Sequence, residues 1–247
     1  MDSAFLRFNK DFETFGSQHL LVLFLMLALS VGMPVLAKRN LSYTKQLLVS
    51  RIMSVCISFW AILYVVLLIY LDKFNYKTDL PLDLCNLAAV LLPFVMWKPN
   101  FRVHEVLYFI VLAGTLQANI TPHLYNGFPN FIFIKYWVVH SGLIVFVIYN
   151  TVVFNLKPTI RSLWKAFLVL QAYIVFIYLF NLLIGSNYVY VVEKPPTASA
   201  LDYLGPWPWY ILISELICGI LFFIVYIPIH LSKRQEKWEY FFFKIHR

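Results

Sequence analysis

The chain has 247 residues, of which 61% are hydrophobic, 19% aromatic and only 13% charged, with a formal net charge of +8 and a mean hydropathy of +0.74. A water-soluble domain of this size has no core large enough to hide so many apolar side chains. The excess positive charge does not signal nucleic acid, because the basic residues stand in short loops between apolar runs and form no stripe interleaved with aromatics.

The first apolar run, Leu20 to Val35, follows Asp11 and Glu13 and precedes Lys38 and Arg39. That charge order is the reverse of a secretory signal, so the run reads as a retained helix. The pattern predicts an all-α, polytopic bundle of seven transmembrane helices over 20–36, 49–71, 82–97, 103–120, 133–155, 163–184 and 207–230. These form one integral membrane domain, 1–247. A crossing helix needs about 20 apolar residues, so the third and fourth are short. Pro81 marks the start of the third and Pro93 bends it near its far end. Lys98, Pro99, Asn100 and Arg102 make a polar turn between the two, with a re-entrant pair as the alternative.

Lysine and arginine then set the orientation. Fourteen of the 20 fall on one side (38, 39, 45, 51, 98, 102, 157, 161, 165, 233, 234, 237, 244 and 247) and six on the other (7, 10, 73, 77, 135 and 194). The positive-inside rule puts the first set in the cytoplasm, with the N-terminus outside and the C-terminus inside. An odd number of spans requires the same arrangement. A cell membrane, the cytoplasmic membrane of a bacterium, is the expected location. The loop 186–206 ends in Gly205-Pro206-Trp207-Pro208-Trp209, which reads as an interfacial anchor or as a lid over a lipid entrance.

The polar residues of the spans gather toward the non-cytoplasmic end. They are His19, Asp83, Cys85, Asn86, Gln117, Asn119, His123, His140, Asn181 and Glu215. Lipid is a poor solvent for such groups, so their common depth points to an embedded site. His140 lies ~10 Å below the outer interface at 1.5 Å per residue. Its neighbour Gly142 allows close helix approach or room for a ligand chain. Each group also has a structural reading: Asp83 as a helix cap, Asn119 and His123 as the end of a span at Pro122, Asn181 and Asn187 as loop braces. Glu215 has no cation in its own helix and needs a partner from another. His104-Glu105 sits at the opposite end and is expected to snorkel or to pair locally.

A thiol beside a histidine can attack an acyl carbonyl, and Cys85 and His140 supply those groups at comparable depth. Asp83, Asn86 or Glu215 would orient the histidine, while Asn119, Asn181 or a backbone N–H would receive oxyanion charge. Asn86, Gln117, His19, His123, Asn187, Trp207 and Trp209 complete the candidate lipid-binding set. Cys56, Cys85 and Cys218 lie in apolar segments without paired spacing, so neither a disulfide framework nor a metal site is indicated, and no cofactor is expected.

Four stretches carry a family resemblance: Leu80-Pro81-Leu82-Asp83-Leu84-Cys85-Asn86, the His140 segment, Asn181 to Tyr188, and Leu204 to Tyr210. In them, and in Gln18-His19-Leu20, the chain resembles the YwaF-type integral membrane proteins of bacteria and is distantly similar to the eukaryotic transmembrane-protein-164 acyltransferases. That resemblance implies lipid acyl transfer by a cysteine near the start of the third helix and a histidine on a later one. The family's Pro-Cys-His pattern falls on Pro81-Leu82-Asp83, so Cys85 stands three positions after the family cysteine. The expected partners are membrane phospholipids or acylated lipids, with no nucleic acid. A lipid hydrolase, a transporter or lipid-binding protein, and a structural membrane partner are the competing readings.

Overall fold

The computed structural model describes residues 11–196 and 199–245, the last helix beyond residue 232 through its backbone alone. Its helices are α1 (Ser17–Asn40), α2 (Tyr43–Tyr70), α3 (Leu84–Val95), α4 (Phe101–Ile120), α5 (Phe131–Val153), α6 (Ile160–Ile184) and α7 (Trp209–Ile245). Short 3-10 turns cover Tyr188–Tyr190 and Ala200–Leu204, and no strand occurs among the described residues.

Six of these helices, α7 through its stretch Trp209–Ser232, are long and apolar enough to cross a membrane. The protein is therefore a multi-pass membrane protein. The expected third span corrects to a 12-residue helix. At 1.5 Å per residue it is ~18 Å long, short of a hydrocarbon core of ~30 Å. Its start is held back by the extended backbone at Asp83, and it ends at Met96, just before the polar turn. The fourth span, expected to be short, reaches 20 residues and contains a π-helical segment, Val111–Thr115.

Local chemistry sets the helix ends. The Asn100 and Asn130 side chains accept from the backbone N–H groups of Arg102 and Ile132. Thr159 and Ser162 form a reciprocal capping box at the start of α6, and Gly185, at φ 66°, closes it in the left-handed conformation.

α5 is the central helix and packs on α1, α2, α3 and α4. Its Val139, Leu143, Phe146 and Val147 are fully buried against Ala89 and Leu92 of α3 and Phe109 of α4. Gly142 lets α2 come close: a Cβ there would lie 2.9 Å from Ile57 Cγ1. At one end of the bundle, loops 71–83 and 185–208 are tied together, since the Tyr188 hydroxyl donates to Tyr76 O and accepts from Leu80 N–H. The 121–130 loop closes on the first turn of α1 at the same end, where Phe128 N–H donates to the Gln18 side chain. The other end holds His104 and Glu105, both buried. Glu105 accepts from Lys165 Nζ at 2.7 Å and from Ser162, so pairing between helices is the outcome and not snorkelling.

Candidate functional site

The first turn of α3 meets the first half of α5 at the loop end of the bundle. Asp83 occupies the N-cap position of α3, but its side chain caps no backbone N–H. It accepts instead from Asn86 Nδ2 at 3.4 Å, and Asn86 Oδ1 accepts from Lys135 Nζ at 3.1 Å. The Lys135 ammonium also lies 4.7 Å from the centre of the Tyr64 ring. These groups line a cavity of about 200 Å3 together with Thr78, Asp79 and Tyr136. One cation and two carboxylates thus share a small, half-polar space. Asp83 is exposed at its edge, yet the surrounding protein raises its carboxyl above the ordinary carboxylate value. Loss of solvent leads that shift, opposed by Lys135, the Asn86 amide and the backbone of Val189.

Cys85 points its thiol at the Thr115 hydroxyl, 3.3 Å away. Thr115 is fully buried at the end of the π-helical segment of α4, a local widening found often where side chains must be re-aimed at a site. Cys85 lies within electrostatic reach of Lys135, Asp83 and Tyr136.

His140 stacks on Tyr136, with ring centres 4.2 Å apart, and its Nδ1 is 2.9 Å from Tyr136 O. A carbonyl oxygen only accepts, so Nδ1 carries the proton and Nε2 keeps its lone pair. That is the tautomer a general base requires. Tyr136 is fixed in turn by donating its hydroxyl to Ala118 O at 2.7 Å.

Beneath these groups, Asn119 ties three helices. Its Nδ2 donates to Thr115 O at 2.8 Å and its Oδ1 accepts from Ser141 at 2.7 Å. Its backbone oxygen accepts from His19 Nε2 at 2.7 Å, while His19 Nδ1 accepts from Phe15 N–H. His19 and Asn119 are fully buried. Both are saturated by protein, so they brace the site from below.

The remaining candidates lie elsewhere. Gln117 and His123 are exposed, the latter 3.4 Å from the Tyr125 hydroxyl. Asn181 is buried and holds Tyr188 through both its backbone groups, and Asn187 holds Val192 and Glu193. Trp207 donates to Val191 O, and Trp209 is largely exposed. Glu215 lines a separate cavity of about 200 Å3 with Val189, Tyr210 and Cys218, which shares no lining residue with the Lys135 cavity.

The structure therefore gathers Asp83, Cys85, Asn86 and His140 and leaves Glu215, Asn187, Trp207 and Trp209 apart. Lys135, Tyr136 and Thr115 join the group without having been singled out. Lys135 had a signal in the sequence: it falls inside the expected fifth span, where an ionisable residue marks a site by default. Among the described residues no group of three His, Cys, Asp or Glu side chains is arranged to hold a metal ion.

The sequence profile of the TMEM164 family matches residues 14–226, spanning α1 to α6, the first half of α7 and the whole of the site. No curated protein and no solved structure matches the chain significantly.

Proposed function

This chain belongs to the TMEM164 family, and on that premise we propose that it is a membrane-embedded acyl-transfer enzyme acting on phospholipid or other lipid esters. The proposal includes the finer topology, with α3 as a seventh embedded segment, an outer N-terminus and a cytoplasmic C-terminus, in the cytoplasmic membrane of a bacterium as in YwaF-type proteins. The site end then faces outward, level with lipid ester groups.

One observation carries the reading: His140 has its Nδ1 proton committed to Tyr136 O and its Nε2 free, and it stacks on Tyr136, which lines the polar cavity. Nε2 takes the thiol proton of Cys85 as sulfur attacks the ester carbonyl. The carbonyl re-forms as a thioester, and the leaving alkoxide receives that proton from His140. An acceptor hydroxyl then repeats the exchange in reverse; water in its place makes the enzyme a hydrolase. Thr115 bonds the thiol and Lys135 lies within electrostatic reach of it. Leu82 occupies the family cysteine's place, and Cys85 follows it by about one helical turn.

The test is lipid mass analysis after incubating purified protein with mixed phospholipids. His140→Ala is expected to lower turnover about 10²–10⁴-fold, the usual worth of a positioned base. Full turnover in Cys85→Ala would remove the thioester and leave direct transfer assisted by His140. Flux across sealed vesicles with every lipid unchanged would replace the enzyme reading by transport.

A further inference from the structure

A second, apolar space opens beside the site. α1 and α2 both lie against α5, and the gap between them is a groove of about 460 Å3. Its wall on α1 runs from Val22 to Met33, eleven helical steps, or ~16 Å at 1.5 Å per residue. Met26, Met33 and Met53 line it, three of the five methionines of the chain. Methionine is unbranched and repacks easily, which suits a wall around a flexible apolar chain. Gly142 forms part of the floor, where any larger side chain would meet Ile57.

The end of the groove nearest the site differs in kind from the rest. Trp137 stands there, 5% exposed, and its indole N–H has no acceptor among the described residues. A buried donor without a partner is rare and calls for an explanation. Ser141, also on the wall, is bonded to Asn119 and follows His140 directly. Two helices run past both spaces: Ile57 lines the groove while Ala61, one turn on, lines the Lys135 cavity, and on α5 the same relation holds between Val138 and Lys135. The larger groove between α6 and α7, about 640 Å3, contains the Glu215 carboxylate and none of the site residues.

We propose that the groove between α1 and α2 holds one acyl chain of the lipid substrate, with its ester end beside Trp137 and its tail toward Met33, so that it acts as the chain-length gauge of the site. This rests on the acyl-transfer reading for the word substrate, but occupancy by a chain is independent of turnover. Leu29 and Cys56 both line the groove and are exposed, so a bulky residue at either fills it without disturbing the core.

The experiment uses the full chain in lipid nanodiscs containing a phosphatidylcholine that bears a diazirine at the end of one acyl chain. Photolabelling is expected to concentrate on peptides containing Met26, Met33, Met53 and Cys56, equally in wild type and in the inactive His140→Ala protein. Leu29→Trp and Cys56→Trp are each expected to lower that labelling about tenfold, or about 1.4 kcal/mol of binding. In active protein the same variants shift preference toward short-chain donors by about the same factor. Label spread over all lipid-facing helices and unchanged by either tryptophan means annular lipid only and overturns the proposal. Groove-specific label with no lipid turnover in any protein supports the chain site while removing the enzyme reading. Turnover whose chain-length profile ignores both tryptophans does the opposite.

Discussion

Asn119→Ala separates a brace from a substrate contact. The Asn119 side chain is fully buried and makes two bonds, to Thr115 O at 2.8 Å and from Ser141 at 2.7 Å. Truncation removes both, and the Ser141 hydroxyl can turn to a carbonyl of its own helix. Two net bonds at about 1 kcal/mol each give a loss of roughly 1–3 kcal/mol. For a chain of this size that is roughly 2–12 °C in thermal midpoint. Thr115 holds Cys85, and Ser141 adjoins His140, so the brace also fixes the distance between thiol and base. Turnover should therefore fall through kcat, with little change in KM. Unfolding in detergent, followed by tryptophan fluorescence, measures the first effect and steady-state lipid turnover the second. An unchanged midpoint with a raised KM would refute the reasoning and return Asn119 to the substrate-binding set.

Three further outcomes follow from individual contacts. Gly142→Ala brings a Cβ to 2.9 Å from Ile57 Cγ1 and should cost about 1–3 kcal/mol, much of it recovered by adding Ile57→Ala; no recovery in the double variant would mean that the strain lies elsewhere. Glu105→Gln weakens a pair whose acid is buried but whose lysine is 58% exposed, so about 1–2 kcal/mol of stability should be lost while chain-length preference stays put. Asp83 holds its proton to a higher pH in the folded protein than in the unfolded chain, so stability should fall as pH rises from the ordinary carboxylate value through the raised one. Asp83→Asn should flatten that stretch of the midpoint–pH curve, and parallel curves for the two proteins would remove Asp83 as the cause.

Much of the bundle can be read from hydropathy because lipid allows few alternatives to a helix of crossing length. Five of the six long helices lie within four residues of their expected bounds, and α2 begins six residues early, at Tyr43. α3 misled because apolar composition counts residues without regard to where the backbone leaves the helix, and 82–97 is apolar but for Asp83 and Asn86. Among polar residues, depth was legible and azimuth was not. Asp83 and Asn86 share one cavity with Lys135 and Tyr136, on which His140 stacks, whereas Glu215 faces a cavity between α6 and the 188–191 turn. Lys135 was hidden by bookkeeping of a different sort: counted as a loop charge that sets topology, it lies one turn inside α5 and bonds Asn86.

What separates a brace from a site in this bundle is how completely each polar group is used up by the protein. His19 has both ring nitrogens bonded, and Asn181 spends its amide on Tyr188 and Ser186. Such groups fix geometry and have nothing left to offer a substrate. His140 spends one nitrogen and keeps the other, and its neighbour Lys135 gives one bond to Asn86 while its ammonium still faces a cavity. His104 tests the criterion at the far end. Its Nε2 meets the Thr151 hydroxyl at 2.8 Å, and that hydroxyl donates to Val147 O, so Nδ1 is the unprotonated nitrogen and has no partner. Yet it is wholly buried between α4 and α5, whereas His140 keeps part of its surface exposed. A free lone pair becomes a base only where a substrate can arrive, so His104→Ala should cost stability and spare lipid turnover, whereas His140→Ala should do the reverse.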